Sequence, residues 1–211
     1  VMVTDDAERT MNTYLGITTY LSVNEIDEEA IHDSEYVYIE GYLVASDTGF
    51  EAMKTVKKAA EKNGVKTSLT LSDPSILEYF KGRFKEVIGA SVDLLFCNEE
   101  EAMMLTGKES LSEAREALKQ EAKRFAITQG KNGAMIWDGD TFIDIEAYKV
   151  RAIDTNGAGD MFAGAFLYGL THGHGFASSG KLASLAASRV VSQFGPRLDH
   201  DTARKLLKQP L

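Results

Sequence analysis

Short apolar runs alternate with stretches of helical periodicity along most of this 211-residue chain. That alternation narrows the available folds more than any single motif does. Tyr36-Val37-Tyr38-Ile39 is a compact apolar run ending at Gly41, the pattern of a buried strand with a functional loop at its C-terminal edge. Over residues 48–62 the apolar Met53, Val56 and Ala60 recur at helical spacing, Lys54, Lys57, Lys58 and Glu61 face outward, and Asn63-Gly64 closes the helix. Residues 65–71 form the next predicted strand. Asp73-Pro74-Ser75 then feeds a helix whose first turn tolerates the proline. Residues 93–97 and 125–128 repeat the strand pattern around helices at 99–105 and 111–122. Residues 134–137 and 141–143, joined by Asp138-Gly139-Asp140, read as a hairpin. Two helices, 157–172 and 176–194, fill the final third. This succession predicts a parallel α/β sheet with a ligand crevice beyond the carboxyl ends of its strands.

The beginning of the chain is different. Residues 1–4 and 11–15 read as short strands around the polar turn Asp5-Asp6-Ala7-Glu8, and only they look separable from the α/β body. A hydrophobic content of 44% and a charged content of 26% are those of a soluble globular protein. The net charge of −9 argues against a nucleic-acid partner, which needs a basic face, but not against a single nucleotide. Cys97 is the only cysteine, which excludes an intrachain disulfide and a cysteine metal cluster and suits a reducing compartment. No apolar stretch approaches a membrane span and the first residues carry no signal-peptide pattern, so the expectation is a cytoplasmic protein with no membrane partner. His32, His172, His174 and His200 show no metal-ligand spacing.

Asp154-Thr155-Asn156-Gly157-Ala158-Gly159-Asp160 runs directly into the apolar Met161-Phe162-Ala163-Gly164-Ala165-Phe166-Leu167. A loop of small residues opening into a helix leaves the first amides without partners at the positive end of the dipole. Glycines there let the backbone approach a phosphate. Asp160 is the anomaly, because a carboxylate repels a phosphate unless it takes a proton from the group attacking it. Ordinary helix capping accounts for the same residues, and the pattern alone leaves both readings open. Three other segments have plain readings. Thr128-Gln129-Gly130-Lys131-Asn132-Gly133 is a two-glycine turn, and Asn98-Glu99-Glu100-Glu101 is an acidic helix start. Arg9 is a strand arginine, and Ser184, Ala187 and Ser188 are small residues for tight helix packing.

Set side by side, these segments resemble the signatures of the ribokinase-like (PfkB-type) carbohydrate and nucleoside kinases. The heptad 154–160 matches the family's C-terminal signature, 128–133 its Thr-x-Gly-x-x-Gly, and 98–101 its Asn-x-x-Glu; residues 8–13 resemble the adenosine-kinase-like branch. The resemblance implies a ribokinase-like parallel-sheet sandwich with helices on both faces. Residues 1–20 would be a remnant of lid strands and 21–211 the nucleotide-binding core. It implies ATP-dependent transfer of the γ-phosphoryl to a primary hydroxyl of a nucleoside such as adenosine, or of a sugar as in ribokinases and fructokinases. Asp160 would be the general base, with Gly157, Ala158 and Gly159 forming the anion hole and Arg9 reaching the transferring phosphate. Thr128 and Gly130 would touch the nucleotide phosphates, Gly133 would permit the turn, and Ser184 would lie beside the base. Asn98 and Glu101 would handle Mg2+, which keeps several waters and needs few carboxylates. Asp154 and Asn156 would join residues 192–195 at a monovalent-cation site.

The resemblance runs over essentially all 211 residues but matches only the later part of the family's pattern. The first glycine-rich motif, a substrate-binding Asp and most of the lid have no counterpart. The expectation is therefore a phosphoryl-transfer half lacking much of the acceptor pocket, with homodimer formation covering exposed edges. The alternative from a different class is a catalytically silent nucleotide-binding fragment.

Overall fold

The computed structural model describes residues 1–4, 6–7 and 9–208. Strands β1 (Met2–Val3) and β2 (Arg9–Thr10) pair antiparallel, Met2 opposite Thr10 and Val3 opposite Arg9. The second strand comes earlier than residues 11–15, which corrects the sequence reading. Ala7 sits at φ 66° and its amide donates to the Thr4 carbonyl at 2.9 Å, so the chain turns back before Arg9 and the pairing ends at Thr10. Asp5 and Glu8 of the expected turn lie outside the described residues.

Strands β3 (Tyr36–Ile39), β4 (Lys66–Thr70), β5 (Leu94–Asn98), β6 (Phe125–Thr128), β7 (Ala134–Trp137) and β8 (Phe142–Ile145) lie in sequence order in a six-stranded sheet. β3 and β5 both run parallel to β4, with Tyr36 opposite Lys66 and Leu69 opposite Leu95. Parallel neighbours need crossover connections, and the alternating helices supply them. The predicted α/β class holds. One strand is not what its composition suggested: β3 stands first in the order, so Tyr38 is exposed and only Ile39 is buried. An apolar run marks a buried strand only when both of its flanks are covered.

The helices are α1 (Glu28–His32), α2 (Asp47–Asn63), α3 (Pro74–Ile88), α4 (Glu99–Thr106), α5 (Leu111–Leu118), α6 (Ala158–Thr171), α7 (Phe176–Val190) and α8 (His200–Leu206). Local chemistry explains their ends. Ser46 caps α2 by accepting from the Gly49 amide, and Asp73 caps α3 by accepting from Ser75. α7 stops before residue 194, and the turns that follow lead to α8, which the periodicity did not announce. Among the described residues no helix is long and apolar enough to cross a membrane.

The chain divides into two compact units. One comprises residues 14–127 and 137–139, the other residues 1–13, 128–136 and 140–211. The core of the first holds Leu69, Leu94 and Leu95 from its strands and Phe84, Ile88 and Leu105 from its helices, all fully buried. A smaller cluster of Ile31, Ala59, Ala60 and Val65 seats α1 on α2. In the second unit α6 and α7 approach closely: a Cβ on Gly169 would lie 2.5 Å from the Ser179 hydroxyl oxygen. Gly180 faces the side chains of Ile136 and Ile145. Phe166 stacks on Phe162 and meets Phe176 edge-on at 5.7 Å. A fully buried ring of this kind contributes about 1.5–3 kcal/mol.

Candidate functional site

Residues 153–157 are held from one side by the segment after α7. The Ile153 and Asp154 amides both donate to the Val191 carbonyl, at 2.7 and 3.3 Å. The Asp154 carboxylate is buried; Oδ1 accepts from the Asn156 amide and Oδ2 from the Gly195 amide, each at 2.9 Å. Gly157 follows in the left-handed region at φ 76°, and a Cβ there would lie 2.5–2.7 Å from Pro196 atoms. Backbone and space both demand glycine at that point.

α6 then begins with no side-chain cap. The Ala158 amide turns back to the Thr155 carbonyl at 3.3 Å, and the Met161 amide reaches the Gly157 carbonyl at 2.9 Å. The amides of Gly159 and Asp160 make no hydrogen bond among the described residues. They sit at the positive end of a 14-residue helix, and the space around Gly159 is open. Of the amides implied by the resemblance, that of Ala158 closes the loop internally, while the amide of Asp160 itself joins the uncapped set. The Asp160 carboxylate is exposed at the lip of a groove of about 500 Å³ that passes Met161, Gly164 and Tyr168 towards Leu206. An uncapped helix start with a carboxylate in its first turn can hold an anion and accept a proton beside it.

Residues 128–133 close on themselves. The Gln129 amide donates to the Gly133 carbonyl at 2.8 Å and the Asn132 amide to the Gln129 carbonyl at 3.0 Å, around the 3₁₀ turn Gly130–Asn132. Gly133 lies at φ 99°, where a Cβ would fall 2.0 Å from the Ile145 carbonyl oxygen. Nothing lies within 4 Å of the corresponding point on Gly130, so that glycine presents bare backbone to an incoming group. Thr128 ends β6 at the head of this turn. Ser184 donates its hydroxyl to the Glu146 carbonyl at 3.0 Å, pinning α7 to the chain after β8. Arg9 pairs with Val3 through the backbone, and its side chain lies outside the described residues. Two hydrogen bonds link its hairpin to the heptad: the amide and hydroxyl of Thr155 both donate to the Ala7 carbonyl, at 3.3 and 3.1 Å. Arg9, residues 128–133 and 154–160, and Ser184 all belong to one compact unit.

Asn98 and Glu101 belong to the other unit and form a complete capping box. Asn98 Oδ1 accepts from the Glu101 amide at 2.8 Å, and Glu101 Oε2 accepts from the Asn98 amide at 2.9 Å. Glu101 is buried. Burial pushes the neighbouring Cys97 thiol well above its ordinary value, and the Glu101 carboxylate adds to the rise. Among the described residues no group of three or more His, Cys, Asp or Glu side chains is arranged around a metal position. A lone carboxylate such as Glu101 suits only an ion that keeps most of its own water, which is the habit of Mg2+.

The same unit holds a polar cluster that sequence reasoning passed over. At the carboxyl ends of β3 and β4, Glu40 accepts from the Ser72 hydroxyl at 2.7 Å and from the Tyr42 amide, while Ser72 Oγ accepts from the Gly41 amide at 3.0 Å. Ser72 adopts φ 69°, unusual for a residue with a side chain. The run ending at Gly41 pointed to a loop here; the partners came from the next strand, which no local pattern encodes.

Residues 1–203 match the family described as pfkB family carbohydrate kinase. A probable sugar kinase from Rhizobium etli CFN 42 superposes with a TM-score of 0.91 at 36% identity, covering 96% of this chain and 63% of that one. The adenosine kinase of Sinorhizobium meliloti gives 0.90 at 33% identity, covering 96% of this chain and 64% of that one. A ribokinase from Lactococcus lactis subsp. lactis is 38% identical over 104 residues, 49% of this chain and 34% of the ribokinase. The chain thus spans about a third of that curated relative and a little under two thirds of the two solved structures.

Proposed function

The chain belongs to the pfkB family of carbohydrate kinases, and from that premise we propose that it carries the phosphoryl-transfer part of an ATP-dependent sugar or nucleoside kinase. The observation that carries this reading is the start of α6. Gly157 turns the chain, no side chain caps the helix, the Gly159 and Asp160 amides stay available, and the Asp160 carboxylate is exposed beside them. Asp160 accepts the proton of the acceptor hydroxyl as its oxygen bonds to the γ-phosphorus and the bond to the β–γ bridging oxygen breaks. The uncapped amides take up charge on the phosphoryl oxygens. Thr128 and Gly130 bind the nucleotide phosphates, Gly130 by open backbone and Thr128 from the end of its strand. The β1–β2 hairpin acts as a lid element carrying Arg9, whose permanent planar charge suits a phosphoryl oxygen. Mg2+, when bound, would neutralise phosphate charge, and Asn98 and Glu101 are the residues that would hold it.

A nucleoside is the favoured acceptor class, because residues 8–13 resemble the adenosine-kinase-like branch; the adenosine kinase of Sinorhizobium meliloti and the probable sugar kinase of Rhizobium etli each cover 96% of this chain and do not separate the two classes. The test is phosphoryl transfer from ATP to adenosine, cytidine, ribose and fructose, followed by product chromatography. Turnover with adenosine above the sugars is the expected result. Transfer to none of them, with ATP still bound, assigns a silent nucleotide-binding role instead.

A further inference from the structure

We propose that Thr155 is a positioning residue that fixes the β1–β2 hairpin on the anion-binding loop through the carbonyl of Ala7. Ala7 is 2% exposed and holds φ 66°, a left-handed conformation that L-residues other than glycine disfavour. Such an outlier persists where surrounding contacts demand it. Here the demand is visible: the carbonyl of the strained residue receives both the amide and the hydroxyl of Thr155, from 148 residues away.

Thr155 is not alone in holding its own loop, to which it gives its carbonyl as acceptor for the Ala158 amide at 3.3 Å. Ile153 and Asp154 are tied to the Val191 carbonyl, and the Asp154 carboxylate clamps the Asn156 and Gly195 amides. The Thr155 hydroxyl donates to the hairpin, at the Ala7 carbonyl. Arg9 follows Ala7 by two positions on the strand that begins there. A shift of Ala7 moves the start of the strand that carries Arg9; this inference rests on the proposed phosphoryl transfer for its catalytic consequence only. Misplacement by about 1 Å can cost about 10²-fold in rate, so a single lost bond that loosens the hairpin has a kinetic signature.

Thr155→Val removes the hydroxyl and keeps the amide and the branched shape; Thr155→Ser restores the hydroxyl. Hydrogen exchange of the peptide spanning residues 1–13 is expected to quicken about tenfold in Thr155→Val while residues 153–160 exchange as in the parent chain. The kcat is expected to fall about tenfold with KM for ATP changed less than about twofold, and Thr155→Ser returns both measurements towards the parent values. Parent-like hairpin exchange in Thr155→Val overturns the anchor. A loosened hairpin with unchanged kcat overturns the positioning role. If Thr155→Val fails to fold, Thr155→Ala, which adds no atoms, carries the same expectations. A parent chain that transfers no phosphoryl group rejects the proposed function, and the exchange measurement then decides the anchor by itself.

Discussion

Two helix starts in this molecule look alike in sequence and are opposite in physics. At α4, Asn98 and Glu101 satisfy each other's amides and the helix end is closed. At α6, Gly157 offers no side chain, and the amides of Gly159 and Asp160 stay open. Both segments put an acidic residue in the first turn, where the dipole favours it. The difference lies in where that carboxylate goes: Glu101 folds back on its own helix, whereas Asp160 points to solvent beside unsatisfied donors. A helix start is left free to take up an anion when the chain withholds the cap.

The sharpest way to break this contrast is Asp160→Asn. In a competent enzyme turnover is expected to fall by about 10²-fold or more while ATP still binds by calorimetry; unchanged turnover ends the role as base. Gly157→Ala comes next. Its left-handed backbone and the contact with Pro196 predict a loss of about 2–4 kcal/mol, read from the urea midpoint, together with weakened nucleotide binding. A parent-like midpoint would mean that α6 does not depend on glycine. Asn98→Ala is expected to cost about 1 kcal/mol as a lost cap and to leave ATP affinity intact. If instead the Mg2+ dependence of turnover shifts more than stability does, the capping box doubles as an ion-handling element and the contrast narrows.

The smallest effect belongs to Asp93, whose partners are Thr67 and Lys123. Burial pushes Asp93 up, but hydrogen bonds from the Lys123 ammonium and from the Thr67 amide and hydroxyl outweigh it, leaving its carboxyl below the ordinary range. The stabilisation is complete above the ordinary carboxylate value of about 3.9 and fades as pH falls through the lower folded value. Lys123 is largely exposed, so the contribution stays within about 1 kcal/mol. Acid titration of Asp93→Asn should flatten the stability curve below about pH 4; a slope identical to the parent's assigns the acid sensitivity to other carboxylates.

What could be read from the sequence follows from how local each interaction is. The caps of α2 and α3, the strands β4, β5 and β6, and the heptad before α6 all declare themselves within a few residues. The exposure of Tyr38 did not, because an edge strand differs from a central one only in what lies beside it. The hairpin register depended on Ala7 taking a conformation that its residue type disfavours. The Thr155 bond to that same residue spans 148 positions, beyond any periodicity. Asn98 and Glu101 were legible in two ways at once, since capping and metal handling ask for the same residue types.

Gly133 and Gly180 both press on Ile145, and they leave different freedom to change. Against Gly133 stands the Ile145 carbonyl oxygen; against Gly180 stand only the side chains of Ile136 and Ile145. An isoleucine can be trimmed to valine by one substitution, but no substitution shortens a carbonyl. A lineage drifting in sequence can therefore lose the second glycine by joint exchange of Ile136 and Ile145 for smaller side chains, while the first admits no partner change that would rescue it. The turn at Gly133 is closed to drift by main chain, and the helix at Gly180 stays negotiable.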